Sequence, residues 1–323
     1  MQMRKIIFSL LMIATILLCG CQNSSDNFLN YQNTVNIAGT ALDNQLTQGA
    51  FFAEDIAIVT EKDNKGDDSQ LTCGTSLLIN DSDNQVIYAD KVYDKLYPAS
   101  LTKLLTALVV LRSGELTDTV TIGYNATHIA EGGVKLCGFH EGDSISLEAL
   151  LNSMLIYSGN DAAIALAEHV GGSVEEFVKR MNEEAAKVGA THSHFVNPNG
   201  LHDDNQYTTA YDLYLIFHEL MQYDTFVGII STSSYTAKYS DKDGNAKEKK
   251  FTSTNLYLKE DAQPNPQLIV VGGKTGTTRK AGNCLILLSK SKQEKEYISV
   301  ILKSDSSEKL YSQMSYLLSL ASK

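Results

Sequence analysis

A nearly continuous apolar helix in the first half of the chain places the strongest constraint on the fold. The stretch Tyr97–Val110 reads YPASLTKLLTALVV, and its apolar positions wrap most of the helical circumference. A surface helix is apolar on one stripe only, so a helix that is apolar all round must be enclosed by other elements. Pro98 stands near its start and Gly114 where it should end. The sequence therefore predicts a central, buried helix.

A lysine interrupts this apolar stretch. Lys103 brings a cation into an apolar setting, which is costly unless the group has a use there. Ser100 precedes it by three positions, so the two side chains share one helical face. A serine hydroxyl is a weak nucleophile until a base takes its proton, and desolvation can lower the pKa of a lysine enough to make it that base. Alone, the Ser-x-x-Lys spacing is common, and a lysine that extends to solvent explains it more simply.

Strand patterns lie at both ends of the chain, with helical patterns between them. Five segments have the pattern of strands: TSLLIND, QVIYADKVY, QLIVVGG, GNCLILLSK and EYISVILKS. Five others have the helical period: SLEALLNSMLIYS, NDAAIALAEHV, SVEEFVKRMNEEAAKVG, TAYDLYLIFHELMQY and SEKLYSQMSYLLSLA. Ser173 and Glu176 form a capping box in the third of these. We predict an α/β chain of the α+β type, with one sheet built from both termini, a helical insertion and a last helix packed on the sheet.

The N-terminus has the features of a lipoprotein signal. The basic region MQMRK precedes IIFSLLMIATILL, a run of signal-peptide length that is short for a membrane span. A small residue before Cys21, and Leu18 three positions ahead of it, resemble the bacterial lipobox. This resemblance implies a signal peptide over residues 1–20 and a diacylglycerol on the Cys21 thiol, with an ordinary cleaved signal as the alternative. Residues 21–50 are then the lipidated cysteine and a polar tether, and residues 51–323 the main domain.

Charge and side-chain chemistry exclude several kinds of partner. The formal net charge is −11 at pH 7, and an acidic surface disfavours nucleic acid, so we predict no nucleic-acid partner.

Besides the N-terminal pair there are three cysteines, Cys73, Cys137 and Cys284, which cannot all pair internally; we predict buried thiols. HELMQ has a glutamine where a zincin needs its second histidine, and THSH offers too few ligands. No metal or cofactor is predicted.

Two further motifs give the Ser-x-x-Lys pair its significance. YSGND places Ser158 and Asn160 at a break between predicted helices, where a second hydroxyl can relay a proton and a carboxamide can hold a substrate backbone. VGGKTGTT places Lys274, Thr275 and Gly276 at the end of a predicted strand. Lysine and threonine there can face a carboxylate, and the glycine leaves the strand bare for an extended peptide. Ser-x-x-Lys, Ser-x-Asn and Lys-Thr-Gly in this order are typical of penicillin-binding proteins and class A β-lactamases.

With these motifs, residues 51–323 resemble the low-molecular-mass serine D-alanyl-D-alanine carboxypeptidases, the penicillin-sensitive S11 peptidases. Four segments are similar in content and order: YPASLTKLLTAL, SGNDAAIALAEHVGGS, FVNPNGLHDDNQYTTAYDL and GGKTGTTRKAGNCL. The resemblance implies a serine β-lactamase/penicillin-binding-protein-like fold, with a central antiparallel sheet flanked by helices and an inserted helical subdomain. It also implies removal of the terminal D-alanine from peptidoglycan stem pentapeptides, and acylation by β-lactam antibiotics. Unlike many family members, the chain is expected to lack an additional C-terminal β domain. Its lipid is expected to anchor it to the outer face of the bacterial cytoplasmic membrane.

The resemblance implies a role for each motif residue. The site consists of Ser100, Lys103, Ser158, Asn160, Lys274, Thr275, Gly276 and Thr277. Ser100 would be the acylated nucleophile and Lys103 its proton acceptor. The Ser-x-Asn pair would complete the proton network, and Lys274 would bind substrate. The oxyanion hole would consist of the backbone N–H groups of Ser100 and Thr277.

Two alternatives share these motifs. A class A β-lactamase needs a glutamate that directs water at the acyl-enzyme, in a Glu-x-x-x-Asn-like loop. No such pattern lies between Asn160 and Lys274, and the second motif reads SGN rather than SDN. A β-lactam or peptidoglycan sensor that is acylated and stays so would use the same residues, and the sequence leaves that interpretation open.

Overall fold

The structure, a computed structural model, describes residues 55–64, 66, 68–130, 134–262 and 268–322. The signal peptide, the lipidated Cys21 and the tether predicted over residues 1–50 lie outside these residues. The strands are β1 (Thr75–Asn80), β2 (Gln85–Asp90), β3 (Thr119–Thr121), β4 (Ser144–Ser146), β5 (Ser234–Ser240), β6 (Ala246–Thr252), β7 (Leu268–Thr278), β8 (Gly282–Ser291) and β9 (Glu296–Ser304). The helices are α1 (Thr102–Ser113), α2 (Tyr124–Thr127), α3 (Leu147–Asn152), α4 (Asn160–Gly171), α5 (Val174–Lys187), α6 (Ala210–Leu220), α7 (Asp224–Ile230) and α8 (Ser307–Ser319).

The main sheet is antiparallel and joins the two ends of the described chain. Its strand order is β2-β1-β9-β8-β7, so the predicted hairpin and the three predicted C-terminal strands form one sheet, as expected. Helix α8 packs on it through Leu310, Met314 and Leu317, all buried. Among the described residues, strand β7 lies at an edge of this sheet, where another extended chain can pair with its backbone.

The predicted central helix is α1, and its central position is confirmed. Every residue from Thr102 to Val110 is buried, Lys103 included. Helices α4, α5 and α6 contact it and supply the enclosure that its all-round apolar surface requires. Each buried leucine contributes roughly 1.5–3 kcal/mol, so this helix is a main source of stability as well as the base of the site described below.

A second sheet lies within the insertion and was not predicted. Its order is β3-β4-β5-β6, so the insertion contains strands as well as helices. Strands β3 and β4 have three residues each, too few for a recognisable period. Strands β5 and β6, SYTAKYS and AKEKKFT, are mostly polar because most of their side chains face solvent. Short or polar strands lack the apolar signal by which strands are recognised.

The thiols of the described region agree with the prediction. Cys73, Cys137 and Cys284 are free and buried. Burial raises the pKa of each of the three thiols, which keeps them protonated at neutral pH. Within the same residues, none of the helices combines the length and the hydropathy needed to cross a bilayer.

Candidate active site

Ser100 lies in a tight turn that leads into α1. The turn, Ala99–Leu101, is a 3₁₀ helix, and Ala99 has a left-handed φ of 48°. Gly200 packs against it, and a Cβ at Gly200 would lie 1.9 Å from the carbonyl oxygen of Ala99. The loop that contains Gly200 can therefore approach the serine turn only because it has a glycine at that point.

Lys103 lies directly below Ser100 and is fully buried. Its Nζ donates to Ser100 Oγ at 3.1 Å and to Asn160 Oδ1 at 2.8 Å, and it also donates to the carbonyl oxygen of Asn199. Desolvation by burial lowers the pKa of Lys103 to about 7. The predicted helical neighbours thus form a hydrogen-bonded pair in which the amine can be neutral near physiological pH.

The second motif follows a distorted helix end. Residues Ser153–Tyr157 continue α3 as a π-helical turn, and Ser158 then takes a left-handed φ of 71°. Such turns frequently occur at functional sites because they redirect a side chain. Asn160 then begins α4, so its carboxamide faces the lysine of the first motif. This local geometry brings the hydroxyl and the carboxamide to the same cleft.

The third motif lies on the edge strand β7. Lys274 is buried, and its Nζ donates to Ser158 Oγ and to the carbonyl oxygen of Thr275, both at 2.9 Å. Burial, followed by repulsion from Lys103, lowers the pKa of Lys274 well below its usual value. A Cβ at Gly276 would lie 3.0 Å from the backbone nitrogen of Ser100, so the absence of a side chain permits the close approach of β7 to the nucleophile.

A cleft of about 700 Å³ brings the predicted residues together. The predicted residues that line it are Ser100, Ser158, Asn160, Thr275, Gly276 and Thr277. Lys103 and Lys274 lie behind this lining, each bonded to one of the two serines. All eight residues therefore belong to one site, with two buried amines behind two cleft-facing hydroxyls.

Four residues that the sequence analysis did not single out support this arrangement. Lys135 accepts from Asn160 Nδ2 through its carbonyl oxygen at 3.1 Å, and its Nζ lies 4.1 Å from the Tyr157 ring centroid. Thr254 Oγ1 accepts from Thr275 Oγ1 at 2.6 Å. The others are Asn199, described above, and Asp161. Most of these contacts join segments that are far apart in the chain, so residue spacing does not predict them.

Asp161 fixes the loop beside the second motif, and its removal gives a testable effect. Its carboxylate accepts from the backbone N–H groups of Cys137 at 2.8 Å, Gly138 at 2.7 Å and Phe139 at 3.4 Å, and it is buried. We expect Asp161→Ala to lower the free energy of unfolding by about 2–4 kcal/mol, because it leaves buried donors without acceptors. Chemical denaturation measures this.

The control for Asp161→Ala is Asp243→Ala, in the exposed β5–β6 turn. We expect that change to stay within about 0.5 kcal/mol of the unaltered protein. An equal loss of stability in both variants would show that the loop contacts of Asp161 contribute nothing specific.

Comparison with known proteins agrees with this geometry. Residues 58–306 match the family described as D-alanyl-D-alanine carboxypeptidase, peptidase S11. D-alanyl-D-alanine carboxypeptidase DacF of Bacillus subtilis is 32% identical over 221 residues, which are 67% of this chain and 54% of that protein. DacC of Escherichia coli is 35% identical over 243 residues, 70% of this chain and 55% of that protein. The chain thus spans about half the length of these curated relatives.

A solved structure is similar over most of the chain. The Streptomyces K15 DD-transpeptidase has a TM-score of 0.72 and 26% identity, covering 77% of this chain and 97% of that one. The fold predicted from the motifs, that of the penicillin-binding DD-peptidases, is therefore confirmed. With a family match over residues 58–306 and a similar fold, this chain belongs to the D-alanyl-D-alanine carboxypeptidase family, peptidase S11.

Proposed function

We propose that the protein is a serine-type D-Ala-D-Ala carboxypeptidase that removes the terminal D-alanine from peptidoglycan stem pentapeptides. The observation that carries this proposal is the buried Lys103 amine, 3.1 Å from the hydroxyl of a cleft-lining Ser100. Carboxypeptidase relatives such as DacF and DacC support the reaction class. Stoichiometric acylation by β-lactams follows from the same nucleophile.

Acylation begins with the pair at the start of α1. Neutral Lys103 takes the proton from Ser100, and Oγ attacks the carbonyl carbon of the penultimate D-alanine. Negative charge develops on the carbonyl oxygen, and the backbone N–H groups of Ser100 and Thr277 are our candidates for its stabilisation. The close approach of β7 at Gly276 brings these two segments together.

The second amine and hydroxyl act on the leaving group. Ser158 Oγ lines the cleft and accepts from Lys274 Nζ, so it can give its proton to the D-alanine amine as the C–N bond breaks. The proton that Lys103 took from Ser100 then replaces it, which returns Lys103 to its neutral form. A substrate carboxylate near Thr275 would favour the charged form of Lys274 and offset the effect of its burial. Asn160 would hold the substrate backbone while its Oδ1 keeps Lys103 in position.

Hydrolysis of the acyl-enzyme completes the reaction. Once D-alanine has left, water can occupy its side of the cleft and attack the acyl carbon while neutral Lys103 takes its proton. Lys103 returns that proton to Ser100 Oγ as the ester bond breaks. None of the described residues that line the cleft is an aspartate or glutamate. This favours a carboxypeptidase over a β-lactamase of the class that activates water with a glutamate.

The deciding experiment is D-alanine release from diacyl-Lys-D-Ala-D-Ala by the purified mature domain. Release that depends on Ser100 supports the proposal. Rapid repeated turnover of a chromogenic cephalosporin would instead indicate a β-lactamase. A protein that traps fluorescent penicillin but releases no D-alanine would be a sensor.

We also propose that the enzyme is anchored by a lipid on Cys21, with residues 22–50 as tether. Members of this family are extracytoplasmic enzymes that act on the cell wall, which agrees with an exported chain.

We expect radioactive palmitate to label the full-length chain in a bacterial host and Cys21→Ser to abolish the label, because that thiol is the proposed acceptor. Cys19→Ser, the matched control, should retain it. Equal labelling of both variants would refute the assignment.

A further inference from the structure

A second, smaller pocket adjoins the catalytic cleft. It has a volume of about 280 Å³. The polar and aromatic residues that line it are Lys95, Tyr97, Asp204, Tyr207, Lys280 and Lys303. Lys280 also lines the catalytic cleft, so the two depressions share a wall. We call the site formed by Lys95, Lys280 and Lys303 the basic pocket.

The basic pocket is positive in a protein whose formal net charge is −11. Within the part of the chain that the structure describes, none of its three lysines forms an ion pair. Its one acid, Asp204, is already engaged, because it accepts from Tyr97 OH at 3.2 Å and lies 3.3 Å from His202 Nε2. Three lysines around a depression that contains a single acid attract anions, and here they do so beside the catalytic cleft.

A β-bulge positions Lys303. Between the pairs Asn283–Ser304 and Leu285–Ile301, strand β9 has one residue more than β8. Lys303 lies in this bulge with a left-handed φ of 58°, a conformation that is strained for a side-chain-bearing residue and that tends to occur at functional sites. Its stem crosses Gly74, where an added Cβ would lie 2.8 Å from the Cβ of Lys303. The bulge and the close approach of Gly74 thus set the position of the Lys303 side chain.

Lys95 is positioned by a different element. Its Nζ lies 4.3 Å from the ring centroid of Tyr207, a cation–π contact. Its neighbour Leu96 is fixed to Thr208 by two backbone hydrogen bonds of 2.8 and 2.9 Å. Two of the three lysines are therefore held by separate, ordered parts of the fold before any ligand binds.

The direction of β7 indicates which part of a substrate would reach this pocket. Gly276 lies against the Ser100 turn, with Lys274 and Thr275 on one side of it and the β7–β8 turn, which contains Lys280, on the other. If the leaving D-alanine lies beside Thr275, the acyl part of the peptide extends towards Lys280. Four residues at about 3.3 Å each place Lys280 at most about 13 Å from Gly276, within reach of the residues that precede D-Ala-D-Ala.

We propose that the basic pocket binds free carboxylates on the residues that precede D-Ala-D-Ala, so that the enzyme prefers acidic stem peptides to amidated ones. This inference rests on the proposed function and specifies its substrate class. Arg279, an exposed residue of the cleft lining next to Lys280 in the chain, adds to the positive potential along the same path.

The test compares two pentapeptides that end in D-Ala-D-Ala. One carries free carboxylates on the two residues before it, and the other carries carboxamides there. We expect kcat/KM for D-alanine release to be about tenfold higher for the acidic peptide at low salt, as charge-assisted contacts would give. This preference should shrink as rising ionic strength screens the charges.

A double variant and a matched lysine control assign the preference to the pocket. Lys95→Gln combined with Lys303→Gln should reduce the ratio to about twofold or less. Lys292→Gln should leave it unchanged, because Lys292 is exposed in the turn at the far end of β8. An equal rate for both peptides in the unaltered enzyme, or a preference that survives the double change, would overturn the inference.

A binding measurement distinguishes failure of this inference from failure of the proposed function. Fluorescence anisotropy with Ser100→Ala protein measures the affinity for the two labelled peptides without turnover. If neither peptide releases D-alanine but the acidic one still binds more tightly through Lys95 and Lys303, the proposed function fails and the pocket assignment stands. If D-alanine is released without any preference, only the pocket assignment fails.

Discussion

Replacing Ser100 by alanine is expected to abolish both labelling by a fluorescent penicillin and release of D-alanine. The loss should be about 10⁴-fold or more, as for other enzymes that lose a covalent nucleophile. The fold should survive, because the change removes one small hydroxyl, which accepts the 3.1 Å hydrogen bond from Lys103 Nζ. Denaturing gel fluorescence and a D-alanine assay measure the two activities, and circular dichroism reports the fold.

Ser113→Ala is the matched control for this change. Ser113 ends the same helix, is exposed, and donates to the carbonyl oxygen of Val109 away from the cleft. It should retain both activities. Penicillin labelling that persists in Ser100→Ala would place the nucleophile elsewhere, with Ser158 as the next candidate because it also lines the cleft and contacts a buried amine.

The second large effect is expected at Lys103. Lys103→Arg should slow acylation about 10³-fold or more, because a guanidinium cannot give up its proton and so cannot act as a base. Lys103→Met, which keeps the length of the side chain and removes the amine, should be equally slow. The second-order rate constant for acylation by penicillin is the measurement. An active arginine variant would refute the role of Lys103 as base.

The pH dependence follows from the same lysine. Burial lowers the pKa of Lys103 to about 7, so its neutral, basic form is minor below that pH and dominant above it. The acylation rate of the unaltered enzyme should therefore rise with pH through about 7 and level off above it. The arginine variant should lack this rise. A rise centred near the ordinary lysine pKa would show that the amine stays charged in the free enzyme.

The local structure of the first motif could be predicted from the sequence because it depends on neighbours along the chain. The apolar run around Lys103 specified a buried helix, and the spacing of three placed Ser100 on the same face. The capping residue Ser173 was predicted on the same basis, and its hydroxyl accepts from Glu176 N as expected. Such features follow from helical periodicity and from the donors that a helix end leaves unpaired.

The second sheet and the supporting contacts could not be predicted in this way. Strands β5 and β6 pair through backbone groups, which every sequence possesses, while their side chains are largely polar and exposed. The contact between Lys103 and the carbonyl oxygen of Asn199 likewise uses a backbone atom whose position depends on a distant loop. Neither the β5–β6 pairing nor the Lys103–Asn199 contact can be recognised from residue type or spacing.

The sequence by itself determined the family, the order of the three motifs and the placement of a lysine within an apolar helix. Only the tertiary structure decided that both motif lysines lie behind the cleft wall, each bonded to a different serine, and that Lys95, Lys280 and Lys303 meet in one pocket. The physical reason is distance along the chain. Periodicity and spacing act over a few residues, whereas burial, and with it the lowered pKa of Lys103, arises from segments far apart that pack together.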